Sequence, residues 1–260
     1  MMNKMTTSDQ HSIAFESTGK GIPLIMIHDL GGNMAAMNDT KQQLSKYFQV
    51  ITYDVRGHGK SSKPRDYDFQ DHVRDLKELM DQLDIKTAHI IGHDMGGLIG
   101  LEFANQYSNQ VITLTLISSK INEQVESFCK LISQHREEIA GFSKLEAKII
   151  LFPYIYKNLE KTKTWYQEQK IYFQQREDDN AIAMRALLNY KPNFEALSTV
   201  PIFMINGRHD PYIGDHNFDN LKTLLPNARC QTFELSGHAP HIEEQDNFIN
   251  VYKNFTSILA

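Results

Sequence analysis

The sequence predicts an α/β protein: a mainly parallel central sheet flanked by helices, with a helical lid inserted near the middle of the chain. Short apolar runs alternate with longer amphipathic segments along most of the 260 residues. Continuous apolar strands separated by helices are typical of parallel sheets covered on both faces. The alternation stops between residues 121 and 196, where helical periodicity replaces it. We therefore expect a core of residues 1–120 and 197–260 and a lid of residues 121–196.

Each element follows from its local pattern. Six apolar runs are predicted to form buried strands: 22–27, 49–53, 88–91, 111–117, 202–205 and 230–235. Five amphipathic segments are predicted to form helices: 34–46, 70–83, 95–107, 215–225 and 242–258. Parallel sheets of this kind bind ligands beyond the carboxyl ends of their strands. Polar motifs that directly follow the strands are therefore the first candidates for a functional site.

Composition excludes several classes of function. Hydrophobic residues make up 41% and charged residues 23% of the chain, as in ordinary globular proteins. The net charge of −5 gives no reason to expect binding to nucleic acid or to an anionic membrane. No apolar run reaches the roughly 18 residues that span a bilayer, and residues 1–20 lack the apolar segment of a signal peptide. We expect a cytoplasmic protein with a small-molecule substrate. The sequence is compatible with a homodimer.

No cofactor is expected from the sequence. Cys129 and Cys230 have neither metal nor redox spacing, and no cluster of His, Cys and Asp has the spacing of metal ligands. No G-x-G-x-x-G motif follows a predicted strand, so no nucleotide cofactor is inferred.

Four polar motifs follow predicted strands: HDLGG at 28–32, GHDMGG at 92–97, GRHD at 207–210 and GH at 237–238. In the second motif, glycines flank Asp94. They predict a very tight turn from strand to helix, in which close packing leaves no room for neighbouring side chains. The helix that begins near Met95 points its backbone N–H groups at this turn and favours negative charge there.

The motifs in this order resemble those of the α/β-hydrolase family, in which a nucleophile, an acid and a histidine follow one another along the chain. The resemblance covers nearly the whole chain and includes the DVRGHGKSS turn at 54–62. It implies that Asp94 is the nucleophile, Asp210 the acid and His238 the base. It also implies an oxyanion hole formed by the backbone N–H groups of Leu30 and Met95.

An aspartate at the nucleophile position favours a particular chemistry. A carboxylate with a pKa near 3.9 is already ionised at neutral pH. Its attack on a saturated carbon gives a stable alkyl ester, whereas attack on an ester carbonyl gives a reactive mixed anhydride. The G-H-D turn at residues 92–94 is similar to that of epoxide hydrolases and haloalkane dehalogenases, which use such an aspartate, and this resemblance implies the same chemistry here. Because Met95 stands where dehalogenases carry Trp or Arg, we expect an epoxide substrate, with a carbon–halogen bond as the second class.

Opening an epoxide requires an acid for the departing alkoxide, and the family takes it from two lid tyrosines. Tyr190 resembles the position of the second, and Tyr154 is the candidate for the first. A helical lid rich in tyrosine is also what ordinary core packing produces. The orientation of both side chains towards Asp94 would separate the two interpretations.

Other interpretations remain open. The HDLG segment lacks the H-G-x-P pattern of epoxide hydrolases, and Met95-Gly96-Gly97 is typical of serine esterases. The main alternative is a carboxylesterase-like scaffold with a replaced nucleophile that is non-catalytic or binds a ligand. Weak esterase activity that does not depend on Asp94 is a third.

Four other histidines are predicted to have structural roles or to lie at the periphery of the site. We expect His28 to brace the loop that follows the first strong strand, and His93 to pack or hydrogen-bond at the turn. His209 and His241 are expected at the surface or the rim of the site.

Overall fold

The structure, a computed structural model, describes residues 2–119, 124–170, 177–191, 194, 197, 199–213 and 222–257. Its strands are β1 (Asn3–Thr6), β2 (Ser12–Thr18), β3 (Pro23–Ile27), β4 (Gln49–Tyr53), β5 (Ala88–His93), β6 (Val111–Ile117), β7 (Ile202–Gly207) and β8 (Arg229–Phe233). They form one sheet in the order β1-β2-β4-β3-β5-β6-β7-β8. The pairings of β1 with β2 and of β2 with β4 are antiparallel, and the others are parallel. The predicted α/β fold with a mainly parallel sheet is confirmed.

Helices surround this sheet. The α-helices are α1 (Asn38–Leu44), α2 (Phe69–Gln82), α3 (Met95–Gln106), α4 (Gln124–Gln134), α5 (Arg136–Ile139), α6 (Lys144–Ile155), α7 (Leu159–Lys170), α8 (Glu177–Leu188), α9 (Pro240–Glu243) and α10 (Gln245–Ser257). Short 3-10 helices span Met34–Met37 and Ser108–Gln110. Helices α4 to α8 lie between β6 and β7, in the segment predicted to be a lid. Among the described helices, none is long and apolar enough to cross a membrane.

Sequence and structure differ at the start of the sheet. Strand β1 has one buried residue, Met5, and therefore shows no apolar run. Strand β2 has three consecutive buried residues between polar ones, which is too short a run to identify. The helix predicted over 34–46 is divided into a 3-10 helix and α1, and the helix predicted over 215–225 lies mostly outside the described residues.

Two apolar layers hold the sheet from either side. One packs α2 and α3 against it through residues such as Leu76 and Phe103. The other packs α1 and α10 against the opposite face through residues such as Leu44 and Phe248. Strand β5, between β3 and β6, is buried along its whole length. Since burying apolar surface is worth about 25 cal/mol per Å², the carboxyl end of β5 is held firmly in place. Asp94 directly follows it.

Candidate active site

Asp94 occupies a tight turn between β5 and α3. Its backbone φ is +50° and its ψ is −115°, a conformation that residues other than glycine rarely adopt. A Cβ atom on Gly96 would overlap the carbonyl oxygen of Ile27, and one on Gly92 would overlap the backbone of Gly96. The glycines therefore let α3 approach β3 and β5 closely, for the steric reason predicted from the sequence.

Two backbone N–H groups converge on the Asp94 carboxylate. The N–H of Leu30 donates to Oδ2 over 3.4 Å, and the N–H of Met95 also hydrogen-bonds to the carboxylate. Burial raises the pKa of Asp94, while the charge of the nearby His238 opposes that rise. The two residues predicted to form an oxyanion hole thus contact the carboxylate itself, so its negative charge is held at the start of α3.

His238 and Asp210 form a buried hydrogen-bonded pair. Nδ1–H of His238 donates to Oδ2 of Asp210 over 2.9 Å, and Oδ1 of Asp210 accepts the backbone N–H of Tyr212 over 2.9 Å. Burial lowers the pKa of His238, but the charges of Asp210 and Asp94 outweigh it and raise that pKa to about 9. At neutral pH the side chain is therefore an imidazolium that interacts with two carboxylates.

Two buried histidines brace the loop that follows β3. Nδ1–H of His28 donates to the carbonyl oxygen of Asp29 over 2.8 Å, and its Nε2 accepts the N–H of Val55 over 3.1 Å. Nε2 of His58 accepts the N–H of Gly31 over 3.2 Å. Burial lowers the pKa of both imidazoles, that of His58 to about 3, so both are neutral at pH 7. His28 has the bracing place predicted for it, and His58 is a second brace that sequence reasoning missed.

A row of histidines continues behind His238. Nε2–H of His93 donates to the backbone carbonyl of His238 over 2.8 Å, as expected for a residue of the turn. The His93 ring lies 4.7 Å from that of His241. His241 is fully buried beside Trp165, so its prediction as a surface or rim residue is wrong. Helix α9 begins at Pro240 and turns the imidazole inward, whereas His209 is exposed as predicted.

Glu243 joins the loop that carries His238 to the segment that follows α6. Its carboxylate accepts four backbone N–H groups, those of Gly237, Ala239, Lys157 and Asn158, over 2.7–3.1 Å. In addition, the backbone N–H of His238 donates to the carbonyl of Ile155, at the end of α6, over 3.0 Å. Sequence reasoning missed Glu243, because a carboxylate in the HIEEQ segment reads as part of a solvated helix face.

The two tyrosines predicted as lid acids do not face Asp94. Tyr154 is 40% exposed, and its hydroxyl donates to Glu138 over 2.8 Å. Tyr190 donates to Glu102 over 3.0 Å, and Glu102 lies on α3 roughly 12 Å along the helix from the turn. Both predictions are therefore wrong. Helical periodicity in the sequence does not reveal which face of α6 packs against the core, and Tyr190 lies beyond the end of α8.

A different tyrosine, Tyr212, packs against His238. Its ring meets that of His238 edge-on, with the centroids 4.8 Å apart. Burial and the charges of Asp210 and Asp94 raise the pKa of its hydroxyl, so the hydroxyl stays protonated at neutral pH. Its position two residues after Asp210 is the signal in the sequence that could have identified it.

The loop after β3 adds another carboxylate to the site. The side chain of Asp29 is 15% exposed and its Oδ1 atom is buried. Tyr156 and Tyr166 of the lid are buried as well, and burial together with the Asp29 charge raises their pKa values. Asp29 therefore faces the aromatic underside of helices α6 and α7.

Comparisons with known proteins agree with this geometry. A family model described as the alpha/beta hydrolase fold matches residues 22–145 and 152–245. Lipase 1 of Psychrobacter immobilis is 26% identical over 274 residues, which cover 98% of this chain and 83% of the lipase. An esterase from Exiguobacterium antarcticum has a TM-score of 0.83 at 20% identity, covering 99% of this chain and 100% of the esterase. An epoxide hydrolase of Bacillus megaterium, solved with an inhibitor, has a TM-score of 0.77 at 20% identity, covering 98% and 100%. The matched residues include Asp94, Asp210 and His238, and the chain belongs to the α/β-hydrolase fold family.

Proposed function

We propose that this protein is a hydrolase whose nucleophile is the carboxylate of Asp94, and that it opens an epoxide through an alkyl-enzyme ester. The observation that carries the proposal is the hydrogen bond from the Leu30 N–H to Oδ2 of Asp94. It fixes one carboxylate oxygen beside a charged His238–Asp210 pair. A carboxylate held in this way needs no base to become nucleophilic.

The first step forms a bond between a carboxylate oxygen of Asp94 and an epoxide carbon, while the carbon–oxygen bond of the ring breaks. The departing alkoxide requires a proton. Tyr212 is the acid that the contacts support, because its ring lies against His238 and the Asp94 charge acts on its hydroxyl. The resulting tyrosinate regains its proton from the imidazolium of His238.

The second step is hydrolysis of the ester. Esterification removes the charge of Asp94, one of the charges that raise the pKa of His238. His238, which has given its proton to the tyrosinate, therefore stays neutral and acts as a base on the attacking water. The N–H groups of Leu30 and Met95 stabilise the oxyanion built on the Asp94 carbonyl. Collapse of that intermediate releases a diol and returns the carboxylate and the imidazolium.

Intact-protein mass spectrometry tests this proposal. The His238→Gln variant lacks the base of the second step, so it accumulates the ester when incubated with a panel of epoxides and haloalkanes. A mass gain equal to a whole epoxide, mapped to the peptide containing Asp94, supports the proposal. A gain of an alkyl group without its halogen changes the substrate class to a haloalkane. The double variant with Asp94→Asn is the matched control and gains no mass.

A second candidate is a carboxylesterase-like scaffold with a replaced nucleophile. The esterase from Exiguobacterium antarcticum has a TM-score of 0.83 against this chain, and that similarity favours the alternative. The Asp94→Ser variant tests it with a chromogenic short-chain ester. Appearance of esterase activity, combined with no adduct on Asp94 in the His238→Gln variant, favours an esterase scaffold that now binds a ligand. Esterase activity that is equal in wild type and variant indicates a reaction independent of Asp94.

A further inference from the structure

The DVRGHGKSS turn at residues 54–62 has no part in the chemistry above, yet it lies against the loop that supplies the Leu30 N–H. Three hydrogen bonds, each from a backbone N–H to a side chain, join the two segments: Val55 to His28 over 3.1 Å, Gly31 to His58 over 3.2 Å and Met34 to Asp54 over 2.7 Å. The turn therefore holds the loop near both of its ends and in the middle.

The bond to His58 is the one next to the nucleophile. It holds the peptide between Leu30 and Gly31, and the N–H of Leu30 itself contacts Oδ2 of Asp94. On the other side of Leu30, the carbonyl of Asp29 accepts an imidazole N–H over 2.8 Å. Because each peptide unit is planar, these two bonds fix both peptides that meet at Leu30, and with them the direction of its N–H.

Gly31 makes such a restraint necessary. Its φ is +75°, and glycine populates positive and negative φ about equally readily because it has no Cβ. The peptide before a glycine therefore has more orientations open to it than the peptide before another residue. Gly31 is buried, and a buried N–H without an acceptor is unfavourable. The acceptor on His58 thus selects one orientation of this peptide.

The His58 ring can only accept at this position. Its Nδ1–H donates to the carbonyl oxygen of Arg56 over 3.1 Å, so Nε2 carries the lone pair. Burial and the charge of His28 lower the pKa of His58 to about 3, and the ring is therefore neutral at pH 7. Arg56 is held in turn by ion pairs with Asp75 over 2.6 Å and with Asp9 over 2.5 Å. A network that includes α2 thus sets the tautomer and orientation of the ring.

We propose that His58 is a positioning residue of the oxyanion hole: by accepting the Gly31 N–H, it keeps the Leu30 N–H directed at Asp94. The inference rests on the proposed function, because the oxyanion that Leu30 stabilises forms during hydrolysis of the ester on Asp94. It assigns different roles to the two hydrogen bonds of one ring. The bond from Gly31 acts on the site, and the bond to Arg56 anchors the ring.

Two variants separate these bonds. In His58→Gln the side-chain oxygen is as many bonds from Cβ as Nε2 is, so it can accept the Gly31 N–H, but the donor to Arg56 is lost. In His58→Asn the amide nitrogen takes the place of Nδ1 and can donate to Arg56, but nothing reaches Gly31. The positioning role requires His58→Gln to keep the Leu30 N–H aligned and His58→Asn to lose that alignment. A role in packing or anchoring alone does not give this order.

Backbone NMR measures the alignment without any substrate. Labelling Asp with carbonyl ¹³C and Leu with ¹⁵N selects the Asp–Leu peptides, of which the chain has two, 29–30 and 75–76. Asp94→Asn replaces a charged acceptor by a neutral one, so it should move the amide proton resonance of Leu30 wherever that N–H faces residue 94. The amide of Leu76, on α2, is the internal control and should not respond.

We expect the Leu30 resonance to respond to Asp94→Asn in an otherwise wild-type chain and in His58→Gln, and to lose that response in His58→Asn. The same response in all three proteins would mean that the Gly31 bond does not align the Leu30 N–H. Loss of the response in His58→Gln would mean that the ring acts through Arg56 or through packing. Either result, or no response in the wild type, overturns the inference.

A measurement on the wild type covers the case in which a variant does not fold. Leu30–Gly31 is the one Leu–Gly peptide in the chain, so labelling Leu with carbonyl ¹³C and Gly with ¹⁵N isolates its resonance. With ¹⁵N-labelled histidine as well, we expect a scalar coupling across the hydrogen bond between the Gly31 nitrogen and Nε2 of His58. Absence of this coupling overturns the inference.

Kinetics then link the alignment to the reaction. In His58→Asn, decay of the epoxide adduct on Asp94 should slow by about a hundredfold, the cost of one oxyanion donor, as followed by time-resolved intact mass. In His58→Gln the decay rate should be largely preserved. Equal decay in both variants rejects the positioning role and retains the carboxylate nucleophile. No adduct in any protein, with the NMR order as expected, rejects the carboxylate chemistry and supports the alignment of Leu30 by His58.

Discussion

The backbone N–H of Leu30 lies 3.4 Å from Oδ2 of Asp94, so the loop after β3 and the turn after β5 meet at one carboxylate oxygen. The contact joins two adjacent parallel strands at their carboxyl ends. The charge of Asp94 therefore acts on the N–H groups of Leu30 and Met95 and on the imidazole of His238.

Replacing Asp94 should therefore change the titration of His238. The Asp94 charge helps to raise the pKa of His238 to about 9, so Asp94→Asn is expected to lower that pKa. Asp210→Asn should lower it further, because Asp210 both attracts and hydrogen-bonds the imidazolium. NMR titration of the histidine ring measures the shift. An unchanged His238 pKa in Asp94→Asn would contradict the release of the base on esterification.

Loss of the Tyr212 hydroxyl should slow ring opening. In the His238→Gln background, Tyr212→Phe is expected to reduce the rate of epoxide adduct formation by about a hundredfold, the usual contribution of a general acid. Time-resolved intact mass measures that rate. The control is Tyr190→Phe, since Tyr190 bonds to Glu102 away from the turn. Equal rates with and without the Tyr212 hydroxyl would exclude it as the acid.

Glu243→Gln should weaken both the fold and the site. A glutamine amide nitrogen would face two of the four backbone N–H groups that the carboxylate now accepts. We expect a loss of about 2–4 kcal/mol of unfolding free energy, measured by chemical denaturation. Glu234→Gln is the matched control, because Glu234 is exposed and pairs only with Arg208 among the described residues. Similar losses of unfolding free energy in both variants would contradict a stabilising role for the four hydrogen bonds to Glu243.

Acid should destabilise the protein through its neutral buried histidines. Burial lowers the pKa of His89 to about 4, below its ordinary value of about 6.5. Between these values the unfolded chain binds a proton that the folded chain does not, so stability falls as the pH falls from 6.5 to 4. By pH 4 the loss of stability from His89 amounts to about 3 kcal/mol. In His89→Gln the unfolding free energy should depend less steeply on pH, by about one proton, and an unchanged slope would count against this assignment.

Features that depend on local geometry could be predicted from the sequence. The turn at Asp94 needs glycines on both sides because α3 packs against two strands. These glycines lie within two residues of Asp94, so the sequence pattern alone indicates the turn. Asp210 and His238 follow the neighbouring parallel strands β7 and β8, so strand pairing brings them to the same edge of the sheet. Strands β3 to β8 were predictable because apolar residues are concentrated in each of these short segments.

Features decided by distant packing could not be predicted. Tyr154 lies on α6, whose buried face depends on the neighbouring helices, and Tyr190 lies just beyond the end of α8; both hydroxyls hydrogen-bond to glutamates instead of facing Asp94. The hydrogen bonds from Lys157 and Asn158 to Glu243 join residues more than 80 positions apart in the sequence. Strand β1, at the edge of the sheet, and its neighbour β2 bury too few residues in a row to show a pattern in the sequence.

The four backbone bonds to Glu243 also bear on how this enzyme could be re-engineered. Residues from Ile155 to Asn158 are anchored to the loop that carries His238 and to Glu243, so this stretch is held together with His238 even though it lies between β6 and β7. Chimeras that exchange the whole insertion with that of a relative would remove one side of this anchor. A graft that retains the end of α6 and replaces only the helices beyond Asn158 should preserve the histidine loop while altering selectivity.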